Sequence, residues 1–184
     1  HLLKDAASGS TIVFCNTRRE TDVVAQNLRK QHINAVAIHG GMTQPARLKS
    51  LNALKHNATD VLVATDVAAR GLDIKKVTHV FNYDVPKTTK EYVHRIGRTA
   101  RAGETGVAVT LLTQHDQDSF KRIQKEYDGT ITPAKMPAVK QVAFHRASTR
   151  KQRTPYKGQR TYNRKQHTYR QNKHKKSSRR PRHR

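Results

Sequence analysis

Residues 94–101 (HRIGRTAR) place three arginines in one short segment. Positions 94, 98 and 101 have the i, i+4, i+7 spacing of one helix face, and if a helix ends at Gly97, Arg98 and Arg101 still project from its C-terminal corner. The nearest acids, Glu91 and Glu104, lie outside the segment. Because planar guanidinium groups suit phosphate oxygens, the pattern is typical of arginines that touch a bound nucleotide. A solvated basic helix is the alternative.

Two short apolar runs are each followed at once by small and polar residues. Residues 61–64 (VLVA) and 11–15 (TIVFC) both have the composition of a buried strand. Thr17 and Glu20, just after the second of these runs, have capping-box spacing, so a helix is predicted to begin there with its amide hydrogens at the strand end. Open parallel sheets bind ligands at their carboxyl edge. The turns that follow these two strands and the arginine segment are therefore predicted to converge on one rim of the sheet.

The elements that must position these residues alternate strand and helix along the chain. This alternation predicts a parallel sheet with helices on both faces. Strands are predicted at 11–15, 35–38, 61–64, 79–82 and 107–112, and helices at 18–31, 44–56, 88–97 and 114–127. Two apolar stripes are interpreted as core packing: Leu48, Leu51 and Leu54 in the second helix, and Phe120, Ile123 and Tyr127 in the fourth.

The charge is distributed very unevenly along the chain. The net charge is +24, and residues 129–184 contain 18 of the 37 Lys and Arg but none of the 13 Asp and Glu. The few apolar residues of that segment are scattered among charges and cannot form a core, whereas residues 1–128 are numerous enough to bury one. The sequence therefore predicts a folded domain at 1–128 and a disordered basic tail at 129–184.

Composition argues against several other kinds of site. Cys15 is the only cysteine, so no disulfide can form within the chain, and its apolar surroundings indicate a small buried hydrophobe. The eleven histidines show no ligand spacing, so no metal site is predicted. No apolar run approaches the roughly 18 residues of a membrane span, and no secretory signal is visible. An intracellular, cytoplasmic protein is expected, with a nuclear or nucleolar location for a eukaryotic source.

These motifs together resemble the second RecA-like domain of a DEAD-box RNA helicase. The resemblance covers roughly residues 1–127 and rests on segments in the family order: 12–17, His39-Gly40 with Gln44 and Arg47, 64–74, and 92–101. The family often has Asp after His-Gly and Gly before the final Arg, whereas this chain has Gly41 and Ala100, and these small changes leave the assignment intact. The implied fold is a three-layer, RecA-like sheet of the P-loop NTPase type.

The sequence lacks the other half of such an enzyme. It contains no G-x-x-x-x-G-K-[ST] loop and no Asp-Glu pair after a strand to hold magnesium. It also opens with His1, partway into an element. We therefore interpret the chain as a fragment that begins near the linker between two RecA-like domains and does not hydrolyse ATP alone. The resemblance implies ATP with Mg²⁺, held mainly by the missing N-terminal domain.

The resemblance implies nucleotide-binding roles for four residues. Arg98 and Arg101 are the expected catalytic residues, which reach across a cleft to the γ-phosphate of ATP. Asp73 is expected to accept hydrogen bonds from the ribose hydroxyls, and Gly71 allows the close approach. Without the resemblance, a simple turn residue is the preferred interpretation of Asp73.

RNA is expected on another part of the rim, where backbone amides and short polar side chains hold phosphates and 2′-hydroxyls without reading bases. The candidates follow three strands or lie in the second helix: Asn16, Thr17, Arg18, Gly40, Arg47, Thr65 and Asp66. Thr65 can instead cap the next turn, and Arg47 can be a solvated helix residue. His94 and Arg95 are expected to link the two domains.

The function implied is ATP-driven local unwinding of RNA, in which ATP and RNA close two domains around a bent strand.

In the tail, Thr154, Thr161 and Thr168 recur every seven residues, each followed by a tyrosine. Basic residues interleaved with tyrosines suit single-stranded RNA, and a solubilising or localisation tail is the alternative. Two other functions stay open: a non-enzymatic RNA-binding or annealing module, and a related helicase acting on DNA.

Overall fold

The computed structural model describes residues 2–5, 10–72, 74, 77–99, 105–135, 137–138 and 144. All of them lie within the first 147 positions. Most of the predicted tail falls outside the described residues, so its disorder and the boundary after residue 128 stay predictions.

A five-stranded parallel sheet forms the centre of the described structure. Its strands are β1 (Ser10–Phe14), β2 (Ala35–Ile38), β3 (Val61–Ala64), β4 (Val77–Asn82) and β5 (Val107–Thr110), in the order β2-β3-β1-β4-β5. The five predicted strands are confirmed, although β4 begins two residues earlier than expected and β5 ends two residues earlier. Parallel pairing places Ile38, Ala64, Phe14, Asn82 and Thr110 in one row across the sheet. The turns that follow the strands therefore begin at one level.

Among the described residues, six α-helices connect or flank these strands. They are α1 (Leu2–Asp5), α2 (Arg18–Lys30), α3 (Gln44–Lys55), α4 (Asp66–Ala69), α5 (Thr89–Ile96) and α6 (Gln117–Glu126). The four predicted helices are confirmed, and α4 forms where the sequence indicated only a turn. A 3₁₀ turn, Gln114–Asp116, precedes α6 because the Asp116 carboxylate accepts hydrogen bonds from both the amide and the hydroxyl of Thr113.

Helices cover both faces of the sheet, which confirms the predicted three layers. One face of the sheet packs against apolar residues of α3 and α4, and the other packs against α1 and α2. Leu54 is buried and Leu51 is partly buried, but Leu48 is 52% exposed, which corrects its assignment to the core stripe. Six helical residues rotate the chain by about 240°, so Leu48 lies about 120° from Leu54 around α3.

A smaller cluster fixes α5 against α6. Tyr92, Phe120 and Ile123 are buried there, and the ring of Tyr92 meets those of Phe120 and Tyr127 edge to face. This packing holds α5 in place, and α5 carries the first half of the arginine segment. In the described part of the chain, no helix has the length and apolar composition needed to cross a membrane.

Candidate functional site

Polar residues gather where β1, β2, β3 and β4 end. Asn16 follows β1, His39 follows β2, Thr65 follows β3 and Asp84 follows β4. The expected cap of α2 is present: the Thr17 hydroxyl accepts a hydrogen bond from the Glu20 amide (3.1 Å). That hydroxyl also donates to the Glu20 carboxylate (2.7 Å), so the carboxylate meets the side chain and not the backbone amide of Thr17.

Arg95 joins three of these strand ends from inside the domain. Its side chain has no exposed area and lies over the ring of Phe14, 5.3 Å from the ring centroid. Nε and Nη2 donate to the two carboxylate oxygens of Asp66, at 2.8 and 2.7 Å. Nη2 also donates to Asn16 Oδ1 (2.7 Å), and Nη1 donates to the carbonyl of Asp84 (2.7 Å). The turns after β1, β3 and β4 are thus tied together by one guanidinium group.

This arrangement corrects the expectation that Arg95 contacts another domain. A side chain with no exposed area presents no surface to a partner, and its bonds are satisfied by groups of its own domain. The cause is helix phase, since Tyr92 and Arg95 are three residues apart and both lie on the buried face of α5. His94 is exposed on the same helix, so its interdomain role stays a prediction.

The same network occupies side chains that the sequence predicted for RNA binding. Asn16 accepts from Arg95, its amide nitrogen Nδ2 donates to the carbonyl of Val85 (2.9 Å), and its backbone amide donates to the Asp84 carboxylate (2.8 Å). Both carboxylate oxygens of Asp66 are bonded to Arg95. These groups hold the rim in shape, and the capacity of Asn16 and Asp66 to meet an external ligand is reduced accordingly.

Electrostatics at the rim follow from this burial. Burial raises the pKa of the Asp84 carboxyl, and the hydrogen bond from the Asn16 amide opposes that rise. Burial also raises the pKa of the Cys15 thiol, which keeps it protonated and confirms its interpretation as a buried hydrophobe. The described residues include no cluster of three His, Cys, Asp or Glu side chains suited to a metal ion.

Arg98 lies just past the end of α5. Gly97 caps the helix, and the amide of Arg98 donates to the carbonyl of Arg95 (3.1 Å). Thr99 then anchors the segment, since its hydroxyl reaches the carbonyls of Val77 (2.9 Å) and Thr78 (3.1 Å).

Arg98 is partly buried and lines a shallow pocket between α4 and α5. Phe14, Asp66, Ala69, Arg70, Glu91, His94 and Arg95 form the rest of its wall. Three arginines and one histidine therefore line this pocket. The same wall contains two acids, Asp66 and Glu91.

The turn after β2 brings two of the remaining candidates, Arg18 and Gly40, together. Gly40 and Gly41 form its tip, and the guanidinium of Arg18 lies against it, with Nη2 3.5 Å from where a Cβ of residue 40 would stand. Arg47 in α3 donates from Nη1 to Gln44 Oε1 (3.4 Å), and its Nε is buried without a partner among the described residues. Thr65 is buried and caps α4 by position, without a side-chain cap bond.

Two of the predicted nucleotide residues, Asp73 and Arg101, lie outside the described residues, as does Ala100. Gly71 is described: its φ of 71° lies in the left-handed region that favours glycine, and a Cβ there would meet no atom of the described residues within 4 Å. The backbone at Gly71 is therefore open to close approach by a ligand.

Comparison with known proteins agrees with this geometry. Residues 1–103 match the family model described as the helicase conserved C-terminal domain. The chain belongs to that family. It is 46% identical to the DEAD-box ATP-dependent RNA helicase RhpA of Helicobacter pylori over 140 residues, which are 76% of this chain and 28% of RhpA.

Solved structures of DEAD-box proteins share the fold of this helicase C-terminal domain. The E. coli DEAD-box protein SrmB, bound to regulator of ribonuclease activity A, matches with a TM-score of 0.68 and 42% identity over 71% of this chain and 77% of that chain. S. cerevisiae Dbp5 bound to RNA and ADP BeF3 matches with a TM-score of 0.62 and 31% identity over 67% of this chain and 34% of that chain. The DEAD-box resemblance and the RecA-like fold are thereby confirmed. The helicase C-terminal domain spans 25% to 28% of the length of the curated relatives it matches.

Sequence reasoning missed three residues that shape the site of this helicase domain. Asp84 follows β4 just as Asp66 follows β3, so the rule that flagged one applied to the other. Asn82 is fully buried at the end of β4, where it accepts from Arg95 Nη1 (3.5 Å) and donates to Thr110 Oγ1 (3.0 Å). The structural role of Thr99 has no comparable signal, because it depends on carbonyls of β4 that are distant in sequence.

Proposed function

We propose that this helicase C-terminal domain is the second half of an ATP-dependent RNA helicase. The observation that carries the proposal is the placement of Arg98 in a pocket with Arg70 and His94, beside the buried hydrogen bonds of Arg95. Relatives named as ATP-dependent RNA helicases, and the Dbp5 structure that contains RNA and ADP BeF3, support this assignment. The activity of the whole protein would require a second, nucleotide-holding domain.

In this proposal, Arg98 and Arg101 stabilise the charge that builds up on the transferring γ-phosphoryl group. Arginine suits this task because its planar donors meet two phosphate oxygens at once. Gly71 and Asp73 would receive the ribose of the same nucleotide. ATP would supply the phosphoryl group, and Mg²⁺ would offset its charge. The Mg²⁺ ligands would belong to the partner domain, as the family resemblance implies.

The proposed RNA surface lies along the turns after β1 and β2. Thr17, Arg18, Gly40 and Arg47 offer amides and guanidinium donors to phosphate oxygens, which positions RNA without reading its sequence. Asn16, Thr65 and Asp66 would contribute chiefly through backbone groups, because their side chains are bonded within the domain or buried. The basic tail would add contacts to single-stranded RNA. The intracellular location stays a prediction.

Both proposed contact sets share one framework. Arg95 holds the turns at Asn16 and Asp66, and its own carbonyl accepts the amide of Arg98. A nucleotide contact at Arg98 and RNA contacts near Asn16 would therefore be positioned by the same buried side chain. Such a shared support suits an enzyme that hydrolyses ATP only when RNA is also in place.

The test is the Arg98→Ala substitution in the full-length protein. We expect RNA-stimulated ATPase turnover to fall by about 10³-fold or more, as for other arginines that touch a transferring phosphoryl group. Arg122→Ala is the matched control, because Arg122 is an exposed arginine of α6 whose described bond is to Ser119. Turnover of Arg98→Ala within about tenfold of the parent would contradict the catalytic assignment.

A further inference from the structure

The turn after β2 is held by a histidine that the proposed contacts do not use. His39 and Met42 close the turn, since the Met42 amide donates to the His39 carbonyl (3.1 Å). The His39 side chain is only 10% exposed and folds back over the tip of the turn. There its Nδ1 accepts a hydrogen bond from the Gly41 amide (3.1 Å).

Asp22 in α2 fixes the ring of His39. Because Nδ1 accepts from the Gly41 amide, the ring proton belongs on Nε2, which lies 3.0 Å from Asp22 Oδ1 and donates to it. Asp22 itself is 62% exposed and stands one helical turn after Arg18. In a helix, residues four apart are neighbours that readily pair, but one oxygen of Asp22 is bonded to His39 and the Arg18 guanidinium lies against Gly40.

Two groups are consequently presented on the outer side of the turn. The Gly40 amide has no hydrogen-bond partner among the described residues, and Arg18 likewise has no hydrogen bond or ion pair within that set. The Arg18 guanidinium lies directly over Gly40, 3.5 to 3.8 Å from where its Cβ would be. A Cβ on Gly41 would stand 3.2 Å from His39 Nδ1, so glycine at 41 permits the close packing of the ring.

We propose that His39 is a positioning residue for RNA, which orients the Gly40–Gly41 turn so that the Gly40 amide and Arg18 together receive one backbone phosphate. His39 does not touch the RNA. Its ring accepts a hydrogen bond from the Gly41 amide and is fixed by one oxygen of Asp22, so that the turn holds the Gly40 amide beside Arg18. This inference rests on the proposed function and assigns a phosphate of the RNA backbone to a defined place.

The experiment compares two substitutions at residue 39 in the full-length protein. His39→Leu removes both hydrogen bonds of the ring. His39→Asn keeps an acceptor for the Gly41 amide, because an asparagine side chain bonds readily to the amide two residues on. His56→Leu is the control, since His56 is an exposed histidine past the end of α3. The measurements are binding of a labelled single-stranded RNA with a non-hydrolysable ATP analogue, and RNA-stimulated ATPase turnover.

His39→Leu is expected to raise the RNA concentration for half-maximal stimulation roughly three- to tenfold, the effect of losing one well-placed hydrogen bond. Turnover at saturating RNA should stay within about twofold of the parent, because the chemical step is untouched. His39→Asn and His56→Leu should bind RNA like the parent.

Unchanged RNA affinity in His39→Leu would overturn the inference, and so would a His39→Asn variant that binds as weakly as His39→Leu. If His39→Leu does not fold, a folded His39→Asn variant that binds RNA more weakly than the parent would still overturn the inference. Failure of the proposed function is distinguishable, because the parent itself would then show no RNA-stimulated ATPase activity.

Discussion

Replacement of Arg95 by methionine is the sharpest test of how this domain is held together. Methionine has a similar length and suits an apolar environment, so the change removes charge and hydrogen bonds with little loss of volume. It leaves the carboxylate of Asp66 without its partner, and it leaves the Asp84 carbonyl and Asn16 Oδ1 without their donor. Stability should therefore fall, although an exposed salt bridge of the same composition would contribute little.

The size of the loss follows from burial. Breaking a buried ion pair by removing one partner costs about 3–5 kcal/mol. The Asp66 side chain is 18% exposed, which allows partial hydration and favours the lower end, about 3 kcal/mol. Each of the two other acceptors adds about 1 kcal/mol when it is left unpaired. The expected loss is therefore about 5 kcal/mol, a large part of the stability of a typical domain.

Urea unfolding followed by circular dichroism measures this loss in the free energy of unfolding. Adding Asp66→Leu to Arg95→Met should recover about 1–2 kcal/mol, because an apolar pair costs less than a buried charge without a partner. The control Arg122→Met, on the surface of α6, should change stability by less than about 0.5 kcal/mol. A loss below about 1 kcal/mol for Arg95→Met, or a double variant less stable than the single one, would refute the reasoning.

Two further predictions concern pH and salt. Because the raised pKa of Asp84 means that the folded chain binds the proton more tightly than the unfolded chain, stability falls as pH rises from the usual value of 3.8 through the raised one. Asp84→Asn should remove that fall, so the stability of the variant relative to the parent should increase as pH rises through this range. Urea titrations at successive pH values measure the difference, and a difference that stays constant with pH would contradict the raised pKa of Asp84. Deletion of residues 138–184 from the full-length protein should weaken RNA binding and flatten its dependence on salt, by a slope of about 0.7 for each lost phosphate contact. An unchanged slope would exclude RNA anchoring by the tail.

The sheet and its helices could be predicted from the sequence because their signals are local. Apolar runs of four or five residues, the Thr17–Glu20 cap and helical spacing in α6 all depend on neighbours within one element. Leu48 shows the limit of such signals, since three leucines at intervals of three drift around a helix and cannot all face the core. The extent of β5 was overestimated for a similar reason: Leu111 and Leu112 continue the apolar run but lie outside the strand and are exposed.

The candidate site was harder to predict because three arginines in eight residues are chemically identical in sequence. Their roles diverge with position on α5, where Tyr92 and Arg95 share the buried face and Gly97 ends the helix before Arg98. Arg95 is consequently directed into the sheet, where it donates to the Asp66 carboxylate after β3 and to the side-chain oxygen of Asn16 after β1. Those partners lie 29 and 79 residues away along the chain, beyond the reach of any local pattern. The convergence of the two turns with Arg95 and Arg98 on one rim was predicted correctly, but Arg95, which ties the turns together, was expected to link two domains. The buried arginine and the arginine proposed for catalysis can therefore be told apart only once the phase of the helix and the end of each strand are known.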